Sequence, residues 1–373
     1  MVKFLLGILF WVFQTLLGGF FCQFPVTALL AAGFMGRRAH YRFGLLWHKL
    51  YAKENPAASI PALPQPGWLL ASQFRMKIQA DWQKNHWRFP FFLAWRLIEG
   101  AWKNLQTGLA QIFACFFLIA WATLLMQLGW KFGWHNSFNK GFEDYLFGVL
   151  LSLAGILAFL IMAPLVLLGQ VHQSVQGRFA SAFDIGFLRR LLNQRPVAKI
   201  TLALVFLSAF FPIAILNSAP RFFELANPAW AELTDQEFQK KVQPYFYIYG
   251  LVLFLAVSWV RNHAVKLYAK SLWVMVKKGD LDEKNRSLLA EQGFSIPLLK
   301  VELIAPKSLV AIAQSVIVKT TKGTLWSIAI FSPLLWLAAI FLVYFKEFIN
   351  YHPETGFLNH PFLLLPWIGP SPF

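Results

Sequence analysis

The chain has 373 residues, 57% hydrophobic and only 14% charged, with a mean hydropathy of +0.52. Ordinary globular domains carry about 25% charged residues, so the composition argues against a soluble protein and for one membrane domain over 1–373. The formal net charge of +17 does not point to nucleic acid, because the basic residues sit in loops beside apolar stretches, where Lys and Arg set membrane orientation or meet anionic headgroups.

Met1-Val2-Lys3 followed by an apolar run imitates a signal peptide. The run over 4–22 is longer than a signal core, no small-x-small cleavage motif follows it cleanly, and apolar sequence resumes at Val26. It is therefore expected to be a retained first span. Residues 25–35 are too short to span alone and either continue that helix past Pro25 or lie re-entrant. Pro56, Pro61, Pro64 and Pro66 mark 54–67 as an extended linker. Residues 83–104 then interleave Lys84, Arg88, Arg96 and Lys103 with Trp87, Phe89, Phe91, Phe92, Trp95 and Trp102. Aromatic and basic residues mixed beside a span typify a segment resting on the headgroup layer.

The second and third spans are expected at 108–128 and 145–168, joined by a polar loop. In it Trp134, Asn136, Asn139 and Lys140 lead to Gly141 and the acidic pair Glu143-Asp144. That is a turn signal followed by acids suited to a helix N-terminus; the same residues are candidates for an outward recognition loop. In the basic loop 171–199, Val175, Phe179, Phe183, Phe187 and Leu191 recur at every fourth residue. Arg178, Arg189, Arg190 and Arg195 lie off that stripe, which predicts one amphipathic helix at the membrane interface, capping the bundle, contacting lipid or both. The fourth and fifth spans are expected at 200–217 and 245–260, separated by a loop bearing Glu224, Glu232, Asp235 and Glu237. The basic loop 261–323 begins as an extension of the fifth helix through Arg261, Lys266, Lys270, Lys277 and Lys278, broken by Asp280-Leu281-Asp282 and Gly293. The stretch 296–318 reads as interfacial, a sixth span follows at 325–345, and the four prolines of 357–373 argue against a seventh.

Charge tests these assignments. Residues 36–104, 171–199 and 261–323 hold 27 of the 34 Lys and Arg residues, whereas the alternate loops are neutral or slightly acidic. The positive-inside rule places those three loops in the cytoplasm of a bacterial inner membrane and both termini outside. Only Lys3 disagrees; a hairpin N-terminus would put residue 1 inside.

The expected spans contain no Asp, Glu, Lys or Arg, which argues against a transporter with a buried carboxylate. Gln111, Thr123, Gln127 and a few serines are read as interhelical hydrogen-bonding groups. Pro164, Pro212 and Pro333 lie inside spans and shape the bundle. Gly148-x-x-x-Ser152 and Ala154-x-x-x-Ala158 are small-residue spacings that permit close helix contact. The histidines are dispersed, Cys22 and Cys115 both lie in apolar stretches, and phosphate-binding and serine-nucleophile motifs are absent. No cofactor or metal is expected.

The segment Trp134 to Glu143 resembles one in uncharacterised bacterial inner-membrane proteins. Gly177 to Asp184 is similar to the Gly-x-x-x-x-Ala-Phe pattern of six-helix membrane families of unknown function. The resemblance implies an all-α six-helix bundle with an amphipathic interfacial helix in its middle, and carries no activity. Uncharged spans and large aromatic-basic surfaces lead to a non-enzymatic scaffold or accessory subunit. Its contact candidates, toward anionic lipid or another membrane protein or itself, are Trp87, Arg88, Trp95, Arg96, Trp102, Arg178, Phe179, Phe183, Phe187, Arg189 and Arg190. A transporter or lipid-handling protein is the alternative. An enzyme ranks third, and would require His172, Asp184 and His263 to converge.

Overall fold

The computed structural model describes residues 2–54, 89–129, 145–218 and 232–294, together with 82, 83 and 229. Every regular element among them is helical. In chain order these are α1 (Val2–Phe21), α2 (Pro25–Glu54), α3 (Phe89–Gly129), α4 (Tyr145–Gln176), a 3-10 turn (Phe179–Phe183), α5 (Ile185–Asn193), α6 (Pro196–Ser218), α7 (Asp235–Lys278) and α8 (Glu283–Glu291). Three stretches are long and apolar enough to cross a membrane: Leu93–Leu125 in α3, Leu153–Gln176 in α4 and Gln243–Lys278 in α7. Trp11–Phe21 and Pro196–Phe206 are shorter apolar helical stretches. The expected sixth span and the interfacial stretch 296–318 lie outside the described residues.

Pro25 opens a separate helix. It lacks an N–H and has a helical φ, so it suits a first turn, and Thr27 Oγ1 stitches the bend by donating to Phe21 O at 2.7 Å. The new helix does not stop at residue 35; it carries the apolar start into the basic run ending at Glu54. At the start of α7, the Glu237 carboxylate accepts from Thr234 N–H at 3.0 Å and from its hydroxyl at 2.8 Å. That helix runs on through Arg261 to the Gly279 cap, as the sequence predicts for the extended fifth helix.

Side-chain pairs fix the helix directions. Phe34 meets Phe254 (6.4 Å between ring centroids), Phe43 meets Tyr268 (5.5 Å) and Trp47 meets Trp273 (5.0 Å). Numbers rise together, so α2 and α7 are parallel. Against α2, α3 runs the other way: Arg37 bonds Gly100 O and Asn104 Oδ1, while Gly108 faces Leu29 further up. The α2–α3 crossing is a backbone contact. A Cβ on Gly33 would collide with Asn104 O, and one on Gly108 with Leu29 O. Next, α4 turns back along α3, with Val166 packed into a cluster with Cys115, Leu118 and Ile119. Finally, α6 returns along α4 and α7, with Phe206 near Phe159 and Gln194 bonded to Lys278.

These directions give the molecule two zones. Toward the basic end of α7 the interior is closed: Phe43, Trp47, Leu188, Tyr268, Leu272 and Phe294 are essentially inaccessible. Toward the other end, large apolar side chains point outward, among them Trp11, Phe117, Trp121, Leu157 and Ile161. Water does not favour that surface, and hydrocarbon does.

The stripe 175–191 does not form the single amphipathic helix expected of it. Gly177, at φ +68°, takes a left-handed conformation that ends α4, and Asp184 Oδ1 caps α5 by accepting from Phe187 N–H at 3.1 Å. Only the nine-residue α5 is amphipathic, and it turns Phe187, Leu188, Leu191 and Leu192 into the core. Its apolar face caps the bundle.

Candidate functional site

Where the two zones meet, four helices converge on a buried arginine. Arg261 of α7 donates from Nη1 to Gln111 Oε1 of α3 at 2.5 Å and from Nη2 to Gln170 Oε1 of α4 at 2.8 Å. The Gln111 amide passes the chain on to Ser174 Oγ (2.7 Å), which donates to Gln170 O (2.8 Å). The fourth wall is α2, where Gly36 lies against the Gln111 amide. His40 meets Ser174 O through Nδ1 at 3.0 Å. A carbonyl only accepts, so this nitrogen carries the proton. Burial holds the His40 pKa below the ordinary histidine value, against the pull of its backbone hydrogen bonds.

Among the described residues no carboxylate is paired with Arg261. Its charge is met by amide dipoles, and the junction has the chemistry of a clamp built of fixed donors and acceptors. Hydrogen bonds from a buried charge are costly to break one partner at a time, because the group left behind is unsatisfied.

Below the junction, His172 shares a 2.6 Å hydrogen bond with Tyr268 Oη and stacks on Phe187 at 4.7 Å. Gln176 links to Asn285 of α8 at 2.5 Å, and Ser181 Oγ donates to Gln176 Oε1 at 2.6 Å. Surface pairs finish this end: Arg178–Glu291 at 2.8 Å, Lys284–Asp184 at 3.6 Å and Arg190–Asp282 at 3.7 Å. Exposed pairs of this kind contribute at most about 1 kcal/mol each.

The residues singled out from sequence fall into three groups. Trp87, Arg88, Trp134, Asn136, Asn139 and Lys140 lie outside the described residues. Trp95 and Trp102 lie on one outward stripe of α3 with Phe91 and Ile98, and Arg96 beside them pairs with Glu99 at 2.9 Å. Arg178, Phe179, Arg189 and Arg190 are exposed, and Phe183 is half-buried. Phe187 is the exception: at 1% exposure it is a core residue and presents nothing to lipid or a partner. Of His172, Asp184 and His263, the first two are near enough for the Asp184 charge to act on His172, but Asp184 is committed to capping α5 and His263 turns outward to its own helix at Trp259 O.

Arg261 itself was assigned to a loop by the sequence pattern, one residue past the fifth span. Its buried position is legible only from its neighbours. Ala264, Val265 and Tyr268 flank it on the same helical face, and all are buried.

No family model, no curated protein and no solved structure matches this chain.

Proposed function

We propose that the chain is a multi-span, non-enzymatic scaffold or accessory subunit of a bacterial inner-membrane complex, meeting anionic lipid and a membrane-protein partner through its basic side. The outward stripe of α3 carries this reading. The helix has 41 residues, about 60 Å at 1.5 Å per residue, against a hydrocarbon core of about 30 Å. Yet Phe91, Trp95, Ile98 and Trp102 are 58–79% exposed, and the same helix continues outward with Phe113, Phe117, Trp121 and Leu124. The first four precede the span expected at 108–128. Large aromatic side chains there, beside Arg96 and Lys103, suit headgroups or a second protein.

The direction of α2 supports a sidedness different from the one charge counting suggests for the N-terminus. It descends parallel to α7 toward the basic end and follows α1 after a three-residue bend. That bend sits against Gly250, near the start of the apolar stretch of α7. In our reading α1 and the start of α2 form a hairpin with residue 1 on the basic, cytoplasmic side, which also accommodates Lys3. Transport is the weaker alternative, because both ends of the Gln111 side chain are spent within the junction.

Native mass spectrometry of the full chain in mild detergent tests the proposal. The expected result is a species carrying a protein partner or retained anionic lipid; a bare monomer refutes it. A reporter active only in cytoplasm, fused to residue 1, is expected to be active.

A further inference from the structure

Three arginines follow the apolar start of α2, and they divide. Arg37 turns toward α3 and is satisfied by Gly100 O and Asn104 Oδ1. Arg38 and Arg42, one helical turn apart, lie on the opposite flank. Both are half-buried, and neither has a hydrogen bond or ion pair with any described residue. At 100° per residue, Lys49 and Lys53 fall on the same side of the helix within roughly 60°, both exposed, with Leu45 exposed between them. The one acid of α2, Glu54, is taken by Trp273 Nε1 and Lys277.

We propose that Arg38 and Arg42 form a binding site for the phosphate of an anionic phospholipid headgroup, with Lys49 and Lys53 extending the attraction along α2. This site rests on the membrane orientation proposed above and adds a residue-level ligand position to it. Two observations select this chemistry. The pair sits one turn past the apolar 25–35 segment, which the proposed orientation places at headgroup depth. It consists of guanidiniums, whose planar forks match phosphate oxygens two at a time. Burial, and then the neighbouring charge of Arg42, hold the Arg38 pKa down at about 10. A phosphate between the two guanidiniums replaces that repulsion with two charge-assisted bonds.

The test is lipid titration of the full-length detergent-purified chain by native mass spectrometry, with phosphatidylglycerol against phosphatidylcholine. Wild type is expected to hold phosphatidylglycerol selectively. Arg38→Gln/Arg42→Gln is expected to weaken it roughly 30-fold, about fivefold per arginine, the scale of one basic residue at an anionic surface. Lys240→Gln/Lys241→Gln, an equal charge change at the opposite end of α7, is expected to match wild type. Arg38→Lys/Arg42→Lys keeps the charge, loses the fork and is expected to fall between, which guards against misfolding of the glutamine variant. Two results overturn the site: phosphatidylglycerol retained equally by the glutamine variant, or displacement of the lipid by inorganic phosphate, which marks a soluble-anion site. A wild-type chain that holds neither lipid nor partner refutes the proposed function as well. One that holds them while the glutamine variant does so equally refutes only this site.

Discussion

Two glycines on α3 are expected to respond to the same substitution with opposite signs. A Cβ on Gly108 meets Leu29 O of α2 roughly an ångström inside the 3.0 Å that real Cβ contacts respect. The obstacle is backbone, so no rotamer relieves it and the two helices must part. Overpacking of this kind costs about 1–3 kcal/mol, and separation also forfeits dispersion along the crossing. Against that stands a gain of about 1 kcal/mol from replacing a helical glycine, leaving Gly108→Ala destabilised by up to about 2 kcal/mol. Gly100, two turns earlier on the same helix, has nothing within 4 Å of its Cβ position. Gly100→Ala therefore keeps the helical gain and is stabilised by up to about 1 kcal/mol. Thermal unfolding with a thiol-reactive dye reads both, because Cys22 and Cys115 are 4% and 2% exposed and react only on opening. If Gly108→Ala unfolds at or above the wild-type temperature, the close crossing of α2 and α3 is wrong.

The clamp gives a second expectation. Arg261→Met strands the acceptors Gln111 Oε1 and Gln170 Oε1, at about 1–3 kcal/mol each, whereas Arg261→Met/Gln111→Leu/Gln170→Leu recovers much of that loss. Additive losses in a mutant cycle would refute the shared network. His40 and His48 both have pKa values lowered by burial, so the unfolded chain binds protons more readily. Stability is then fully present above the ordinary histidine pKa and declines as pH falls through it; unfolding temperatures from about pH 8 to about pH 5 should show the decline, and His40→Gln should reduce it. Phe187→Ala is expected to cost about 3–5 kcal/mol and Phe179→Ala, 45% exposed, far less. Equal losses in dye-monitored unfolding would contradict the capping role of α5.

Helix class and most helix positions were legible because lipid-facing helices need long uncharged runs, and α1, α3, α4, α6 and α7 each contain one. The same criterion hid Arg261. Ending each span at the first charge moves any buried arginine into the adjoining loop, whatever its surroundings. The stripe at 175–191 misled for a geometric reason. Steps of four residues advance 40° each on a helix, so Val175 and Leu191 would stand about 160° apart. One face cannot hold them all; Gly177 and Asp184 solve this by breaking the chain into segments that each face the core. The α2–α3 contact was invisible for another reason. Small-residue patterns were sought within one helix, but Ala154 is exposed where Ala158 is buried, and the close approach uses one glycine from each of two helices.

The position of Arg261 explains why so polar a junction is tolerated in so apolar a chain. It sits where α2 changes from apolar to basic, where α4 gives way to Gln170, His172 and Gln173, and where α7 passes from lipid-suited to core-suited neighbours. On the proposed orientation this is the boundary between hydrocarbon and headgroups, where water and phosphate no longer make a guanidinium prohibitive. Fixing α2, α3, α4 and α7 to one another there leaves the closed zone below it rigid without any help from the bilayer. The surfaces left uncommitted are then those outside the clamp: the outward stripe of α3, the peripheral α1, and the Arg38–Arg42 flank of α2. A partner or lipid that binds the chain meets these already positioned, so association need not spend free energy on ordering them. That is the physical content of a scaffold, and it predicts that loosening the clamp with Arg261→Met weakens retention of lipid and partner even though Arg261 touches neither.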